Sequence, residues 1–388
     1  MNNPFTEPIF SATMPRKRFE NILSAIRFDD ADTRVERRNN DKLAALREVV
    51  EILLGKCKQA YVPNPILTID EWLSQYRGGC PFKMFMPKKP AKFGIKLWML
   101  VDCETKYIWN FQVYTGKKKD GPEKNLGEKV VLDLVQDLPK GYGITTDSFF
   151  TSYSLALKLL NQGKTLLGTV NRQRKEVPED IKNFQERELK SSFFLYSDPV
   201  MIVSYKDKKT KNVIVLSTQH HEPKIAACGK PEMIIDYNSS KFGVDIADMM
   251  IGNYSCSRTT RRWTLALFES LLDISILNMS IIWNSNKQKT SRSDFIEELC
   301  LELVDEQVSI RDKKFLSFGI KQNIEIVNQN LQFPNHPTTS KESSNIFGKC
   351  QVCRNRTRRN ICCKQCKNFV CKKHISKTIY FCTNCKNH

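Results

Sequence analysis

The chain has 388 residues, 40% of them hydrophobic, with 61 Lys and Arg against 42 Asp and Glu and a formal net charge of +19. That length suits two or three domains with a sizeable core, and so strong a basic excess points to a polyanionic partner, because each phosphate neutralised by Lys or Arg releases counterions. Met1–Arg18 carries no apolar run of the kind a signal peptide needs, and eight of the 14 cysteines crowd into Cys350–Cys385, which reads as metal binding in a reducing compartment rather than a disulfide scaffold.

In chain order, residues 14–60 read helical: Phe19, Ile22, Leu23 and Ile26 recur at helical spacing, as do Leu43, Leu46, Val49, Val50 and Leu53. The charged stretch Asp29–Asp41 between them reads as a loop. The period then shortens. Ile66–Ile69, Ile95–Val101 and Tyr107–Tyr114 are expected strands, the last two joined through Cys103-Glu104-Thr105-Lys106 as a hairpin. After the charged, Gly-containing stretch Thr115–Lys124 come a helix at Leu126–Leu138, a strand at Gly143–Thr146, a helix at Ser152–Leu160 ended by Gly163, and a strand at Thr165–Val170. Three antiparallel strands, helix, strand, helix is the order of an RNase H-like α/β sheet. Residues 172–232 break this pattern; rich in charge, with a hairpin at Val200–Tyr205 and Val213–Thr218, they read as an inserted β-rich subdomain. Helical character resumes near Val244. The most apolar segment, Trp263–Trp283, carries Glu269 and Asp273 one helical turn apart, which reads as a buried amphipathic helix and not a membrane span. Asn335–Phe347, rich in Ser and Thr, is a linker.

Three carboxylates fall where phosphodiester chemistry would use them. Asp70 ends the strand Ile66–Ile69, Asp147 ends the strand Gly143–Thr146, and Asp245 lies at a predicted helix start. Strand ends deliver side chains to a common rim, and two divalent ions about 3.5–4 Å apart on such carboxylates activate an attacking oxygen and steady a leaving one. Oxygen-only ligands suit Mg²⁺ or Mn²⁺. Taken singly, each Asp is equally a turn former or a helix cap. Glu71, Asp102 and Glu128 are rivals: Glu71 faces away from Asp70 on a strand, and Asp102 opens a turn.

The words around the carboxylates are more specific. Leu67-Thr68-Ile69-Asp70-Glu71, Tyr76-Arg77-Gly78-Gly79-Cys80-Pro81-Phe82 and Met86-Pro87-Lys88-Lys89-Pro90-Ala91-Lys92-Phe93-Gly94-Ile95-Lys96 closely resemble the first block of piggyBac-type transposases. Thr146-Asp147-Ser148-Phe149-Phe150-Thr151-Ser152 is similar to their second block. Gly168-Thr169-Val170 and Lys175-Glu176-Val177-Pro178 are similar to the next, and Asp236-Tyr237-Asn238, Gly243-Val244-Asp245-Ile246-Ala247-Asp248 and Tyr254-Ser255-Cys256-Ser257-Arg258-Thr259-Thr260-Arg261-Arg262-Trp263 to the third. The match runs in order from about residue 10 to the C-terminus. The resemblance implies a catalytic triad of Asp70, Asp147 and Asp245, with Asp248 as a fourth carboxylate around two Mg²⁺ or Mn²⁺ ions. It implies double-stranded DNA as partner (transposon ends and a TTAA target), a homodimer, a nuclear location, and neither a membrane nor a small-molecule substrate. Two positions depart from the family pattern: Ser148 stands where Asn is expected, and Phe242 where Gly is frequent. Full-length members also begin with a long acidic arm, whereas this sequence starts near the family's first helical domain, as a fragment, a shortened reading frame or a domesticated copy would.

Basic residues supply candidate DNA contacts. Arg258, Arg261 and Arg262 can pair with phosphates and Trp263 can stack on an unpaired base, although Trp263 equally begins the apolar helix and packs there. Lys88, Lys89 and Lys92 flank a strand near Asp70. In the tail, Cys350-x2-Cys353, Cys363-x2-Cys366, Cys371-x2-His374 and Cys382-x2-Cys385 form four chelate pairs, enough for two tetrahedral Zn²⁺ sites. Their spacing permits a cross-brace in which Cys350, Cys353, Cys371 and His374 share one zinc and Cys363, Cys366, Cys382 and Cys385 the other, with Cys362 and His388 as spares. Residues 349–388 hold 11 Lys or Arg and no Asp or Glu. Seven thiolates and two Zn²⁺ together carry −3, so the module stays near +8, which favours DNA contact through Arg354, Arg356, Arg358, Arg359, Lys372 and Lys373.

The expected organisation is therefore a helical dimerisation and DNA-binding domain in two parts (1–65 and 255–333), an RNase H-like catalytic core in two parts (66–171 and 233–254), a β-rich insertion (172–232), a linker (334–348) and a cross-brace zinc module (349–388). The alternatives are a domesticated DNA-binding protein without productive catalysis and a zinc-dependent ubiquitin ligase or histone reader.

Overall fold

A computed structural model describes residues 8–116, 124–286, 289–312, 316–332, 348–349 and 356–357. The chain divides into two units, Met1–Lys314 and Phe315–His388. In the first, short helices α1 (Pro8–Thr13), α2 (Arg16–Ala25), α3 (Ala31–Asn40) and α4 (Arg47–Ala60) precede β1 (Ile66–Gln75), β2 (Met84–Phe85), β3 (Phe93–Asp102) and β4 (Ile108–Val113). Then come α5 (Leu126–Val135), β5 (Gly143–Thr146), α6 (Tyr153–Asn161), β6 (Thr165–Thr169), α7 (Glu179–Lys182), β7 (Ser192–Ser197), β8 (Val200–Lys208) and β9 (Lys211–Ser217). The unit ends in α8 (Glu232–Ser240), α9 (Gly243–Asn253), α10 (Trp263–Asn286) and α11 (Arg292–Asp312). In the second unit, α12 (Phe318–Gln332) is followed by a short antiparallel pair, β10 (Gly348–Lys349) and β11 (Arg356–Thr357). The zinc ligands Cys350 to Cys385, and Arg354, Arg358, Arg359, Lys372 and Lys373, lie outside the described residues; so does most of the linker.

Among the described residues β1 to β9 form one mixed sheet, ordered β3-β1-β5-β6-β9-β8-β7, with β2 and β4 both paired to the outer side of β3. β1 is antiparallel to β3 and parallel to β5, and β6 is parallel to β5. The stretch expected as a separate insertion supplies β7, β8 and β9, and β9 pairs antiparallel with β6 from Leu167–Ser217 to Thr169–Val215. Its strands thus extend the central sheet, because the free edge of β6 offers unpaired backbone groups that β9 satisfies.

Two apolar layers sandwich the sheet. On one face Leu67, Ile69, Trp98 and Leu100 pack with Val131, Leu134, Leu155 and Leu159 of α5 and α6. On the other, Trp72, Leu97, Met99 and Val101 pack with Val244, Ala247, Leu267, Leu271 and Ile274 of α9 and α10. The alternation of strand side chains produces this division, and it turns Thr68, Asp70 and Trp72 toward α9.

Two expectations are corrected here. Asp29–Asp41 holds a helix, α3, and not only a loop: Asp30 caps it by accepting from Asp32 N at 2.9 Å, and Arg34 and Arg37 both grip Asp29. Internal ion pairing takes the place of an apolar stripe, which is why hydrophobic period missed it. Asp70 does not end its strand. β1 runs on to Gln75 because β3 accompanies it along its length, from Leu67–Asp102 to Gln75–Gly94.

α10 is long and apolar enough by length and composition to cross a membrane, yet 67% of its most apolar window is buried in the fold. Its two carboxylates serve a loop: Asp273 accepts from Ser255 Oγ at 2.6 Å and Cys256 N at 2.8 Å, and Glu269 accepts from Arg258 N at 3.0 Å. α9 crosses β1 closely at its first residue. A Cβ on Gly243 would stand 2.3 Å from Thr68 Cγ2, so only glycine admits the crossing that sets Asp245 beside β1. Gly243→Ala is expected to cost about 1–3 kcal/mol through overpacking, read by urea unfolding; an unchanged midpoint would contradict this close approach.

Candidate active site

The parallel pairing of β1 with β5 ends at Ile69–Thr146, so Asp70 and Asp147 lie side by side where β5 stops. Asp245, in the first turn of α9, faces the same place. All three line one open cavity of about 250 Å³, together with Thr68, Ile69, Thr145, Thr146, Tyr237, Lys241 and Phe242. A larger depression of about 480 Å³, lined by Arg77, Lys83, Pro90, Ala91, Lys92 and Phe93, contains no carboxylate, so the smaller cavity is the one equipped for chemistry.

The loop after β5 fixes Asp147 locally. Phe149 N donates to Asp147 Oδ1 at 2.9 Å, and Thr151 N donates to the Asp147 carbonyl at 3.0 Å, an Asx-type turn. Arg174 steadies the same turn by donating to the carbonyls of Ser148 and Phe149 at 3.3 and 3.1 Å. Ser148, where Asn was expected, sits in this turn, and Asp147 keeps its place. Gly168 on β6 lets the turn approach, since a Cβ there would lie 2.1 Å from Thr151 Oγ1.

Negative charge is crowded. Burial, then the charges of Glu71 and Asp147, push the Asp70 carboxyl up to about 8. Burial and Glu71 also raise Asp147, against the hydrogen bond from Phe149 N and the charge of Lys96. Glu71 stands opposite Trp98 in the β1–β3 register, on the other face from Asp70 as expected, but close enough for its charge to act on both aspartates. Burial lowers the Lys96 ammonium, while Glu71, Asp70 and Asp147 raise it. Tyr237, whose hydroxyl lies 3.3 Å from Thr169 Oγ1, is raised by burial and by the same two aspartates.

The donors fit a hard divalent cation in kind. They are oxygen-only, and the mutual repulsion around Asp70 is what such a charge relieves. As placed, no three Asp, Glu, His or Cys groups among the described residues converge at metal-ligand spacing. Asp248 accepts from Trp72 Nε1 at 2.6 Å and is not part of the cavity wall.

The rivals have structural partners. Asp102 is 0% exposed and accepts from the backbone N–H of Asn64, Glu104 and Thr105, the turn residue it was read as. Glu128 pairs with Lys158; burial raises its carboxyl, and the hydrogen bonds from Lys158, Ser154 and Ser152 outweigh that and hold it low. Tyr237 and Lys241 are cavity groups that reasoning from carboxylate spacing passed over. Their signal was adjacency to the motif words, not any spacing of their own.

The basic candidates separate. Arg258 and Arg261 are exposed, as are Lys88 and Lys92. Arg258 lies over the Phe19 ring at 4.8 Å. Lys89 donates to the Glu71 carbonyl at 3.0 Å. Arg262 is committed to the end of α2, donating to the carbonyls of Leu23 and Ile26 at 2.9 and 2.6 Å. Trp263 packs edge-on against Phe82 with centroids 5.1 Å apart, which is the packing alternative.

Two outcomes follow. A raised carboxyl holds its proton more tightly folded than unfolded, so its contribution to stability is full below the unfolded value near 3.8 and is lost as pH rises toward 8. In chelator, Asp70→Asn should therefore raise the melting temperature by a few degrees at pH 9 and leave it nearly unchanged at pH 4; equal shifts at both would sink the argument. Arg262→Ala should cost about 1–3 kcal/mol through orphaned carbonyls, whereas Arg261→Ala should leave thermal unfolding unchanged.

Comparison with known proteins gives the family. The family model described as Transposase IS4 matches residues 1–279. Human PiggyBac transposable element-derived protein 3 is 28% identical over 288 residues, covering 66% of this chain and 46% of that protein. The human Chimeric ERCC6-PGBD3 protein is also 28% identical over 288 residues, of which the match covers 26% of its length. The chain thus spans less than half the length of these relatives. A cryo-EM structure of the piggyBac transposase synaptic complex with hairpin DNA superposes with a TM-score of 0.79 at 33% identity, covering 97% of this chain and 81% of that one. With the motif words, the mixed sheet and the family model all in agreement, the chain belongs to the Transposase IS4 family and is of piggyBac type.

Proposed function

We propose that this chain is a metal-dependent DNA transposase whose RNase H-like core cuts and joins strands at transposon ends. The observation that carries the reading is the convergence of Asp70, Asp147 and Asp245 on one cavity. The strand order and directions of β4-β3-β1-β5-β6 support the RNase H-like assignment. Two divalent ions, when bound, would supply the Lewis acidity that activates an attacking oxygen and stabilises a leaving one. Asp70 and Asp147, on adjacent strands, would hold them from the sheet, and Asp245 from α9. Lys96 and Lys241 offset part of the negative charge that the phosphate backbone adds. Water attack at one strand frees a 3′-OH; that hydroxyl attacks the opposite strand, expelling the 3′-oxygen of the flanking DNA and closing a hairpin; a second water reopens the hairpin and restores the 3′-OH, which attacks a TTAA target phosphodiester and expels its 3′-oxygen.

The exposed Arg258 and Arg261 would contact phosphate, and the C-terminal module, with Zn²⁺ on Cys350, Cys353, Cys371, His374, Cys363, Cys366, Cys382 and Cys385, would bind end DNA. The reading places a homodimer on DNA in the nucleus. A transposase-derived DNA-binding protein without productive catalysis is the second reading, favoured by the relative whose printed name is "transposable element-derived".

Cleavage of a TTAA-flanked transposon end in Mg²⁺ tests both. Asp70→Ala, Asp147→Ala and Asp245→Ala should each lower strand cleavage by roughly 100-fold or more, since loss of even outer-shell partners costs metal sites 10–100-fold. Cleavage that survives all three substitutions defeats the catalytic assignment. Tight end binding with no cleavage by the parent chain selects the second reading.

A further inference from the structure

Two exposed aromatic rings flank the carboxylates, each beneath a lysine. On the Asp245 side Phe242 is 46% exposed and lines the cavity, with Lys241 Nζ 4.7 Å from its ring centroid. On the Asp147 side Phe149 is 44% exposed, with Lys96 Nζ 5.4 Å from its centroid.

Stability does not account for Phe242. It holds the N-cap position of α9 and makes no capping hydrogen bond there, a place where Ser, Thr, Asp or Asn would satisfy a helix amide. Nearly half of its surface stays in water at the mouth of a polar cavity. Lys241 enters no ion pair among the described residues, even with three aspartates lining the same cavity; its ammonium lies over the rings of Tyr237 and Phe242. An open π-face next to a cation without a counter-ion matches the two halves of a nucleotide. Stacking on an aromatic ring tolerates any base because every base has a π-face, and an ammonium meets phosphate as a point charge.

We propose that Phe242 and Lys241 form a clamp for an unpaired nucleotide beside the bond being cut, the free face of the ring taking the base and the ammonium the adjoining phosphate. Phe149 and Lys96 give the corresponding support on the Asp147 side. The clamp rests on the DNA-processing reading of the cavity. In a duplex the faces of a base are covered by its stacked neighbours, so a ring that stacks on a base holds one that has left the helix.

The experiment uses the full chain in Ca²⁺ and a hairpin-ended duplex with 2-aminopurine in its unpaired loop. Binding by the parent should quench the fluorophore through stacking. Phe242→Ala should remove most of the quenching and weaken hairpin binding about 10-fold, while binding to a blunt duplex stays within about 2-fold of the parent. Phe242→Trp should restore both, and Phe242→Leu, similar in bulk without a π-face, should not. Lys241→Met should reduce the salt dependence of hairpin binding by about one phosphate contact. Parent-like quenching and affinity in both Phe242→Ala and Phe242→Leu would overturn the clamp. Phe242 is a surface residue, and recovery in Phe242→Trp separates loss of stacking from loss of fold. A parent that quenches yet cleaves nothing in Mg²⁺ overturns only the catalytic reading; a parent that cleaves, with Phe242→Ala unaffected in every readout, overturns only the clamp.

Discussion

β5 stops at Thr146 while its neighbour β1 runs on to Gln75. That difference in length is the constraint on which the site depends. Up to Ile69, β1 is held on both edges; beyond it, only β3 remains. The step leaves a notch in an otherwise continuous sheet. Asp70 stands on its floor, Asp147 turns back from the end of β5, and α9 closes over it with Asp245. A longer β5 would carry Asp147 away along the strand, and a shorter β1 would leave Asp70 on a loop without a fixed direction. The rigid sheet, and not the loops, sets where the carboxylates stand.

The same notch concentrates charge that folding would otherwise avoid. Asp70, Asp147 and Glu71 act on one another across it, and Lys96 compensates them only in part. Three carboxylates with one partly buried lysine are a poor arrangement for an isolated fold, and local inconsistency of this kind marks functional sites. By contrast the other acidic candidates are fully answered. Asp102 has three backbone donors and Glu128 has Lys158, so neither holds unspent charge for a ligand.

Much of this was legible in the residues, and the exceptions have physical reasons. β-branched runs gave β1, β3, β4 and β5 because those strands bury one or both faces. Gly163 gave the end of α6, whereas the close crossing at Gly243 emerged only from the fold. α3 was not legible because its order comes from Asp29, Arg34 and Arg37 and not from an apolar stripe. The full length of β1 was hidden because Glu71 and Ser74 interrupt its apolar pattern, although β3 pairs it regardless. For the site, the aspartates were legible through their flanking words. Tyr237, Lys241 and Arg174 were not, because each reaches the cavity or its turn from an element distant in sequence, and a charge or hydroxyl on one helix carries no mark of the strand it will meet.

A second set of carboxylates explains how the apolar helix α10 serves the site without touching it. Asp273 and Glu269 are 2% and 5% exposed, and burying two acids in one helix is unfavourable unless their oxygens are satisfied. They are satisfied by the loop that follows α9: Ser255 Oγ, Cys256 N and Arg258 N all donate to them. Burial still raises the Glu269 carboxyl, against the Arg258 contacts that lower it. The loop is thereby held at its start by α10 and at its end by Arg262 on the carbonyls of α2. Between these two anchors Arg258 and Arg261 stay exposed. The polar residues that made α10 look unlike a membrane span are therefore those that fix the basic loop in place, and the arginine that looked equally fit for phosphate, Arg262, is the one that the anchoring consumes.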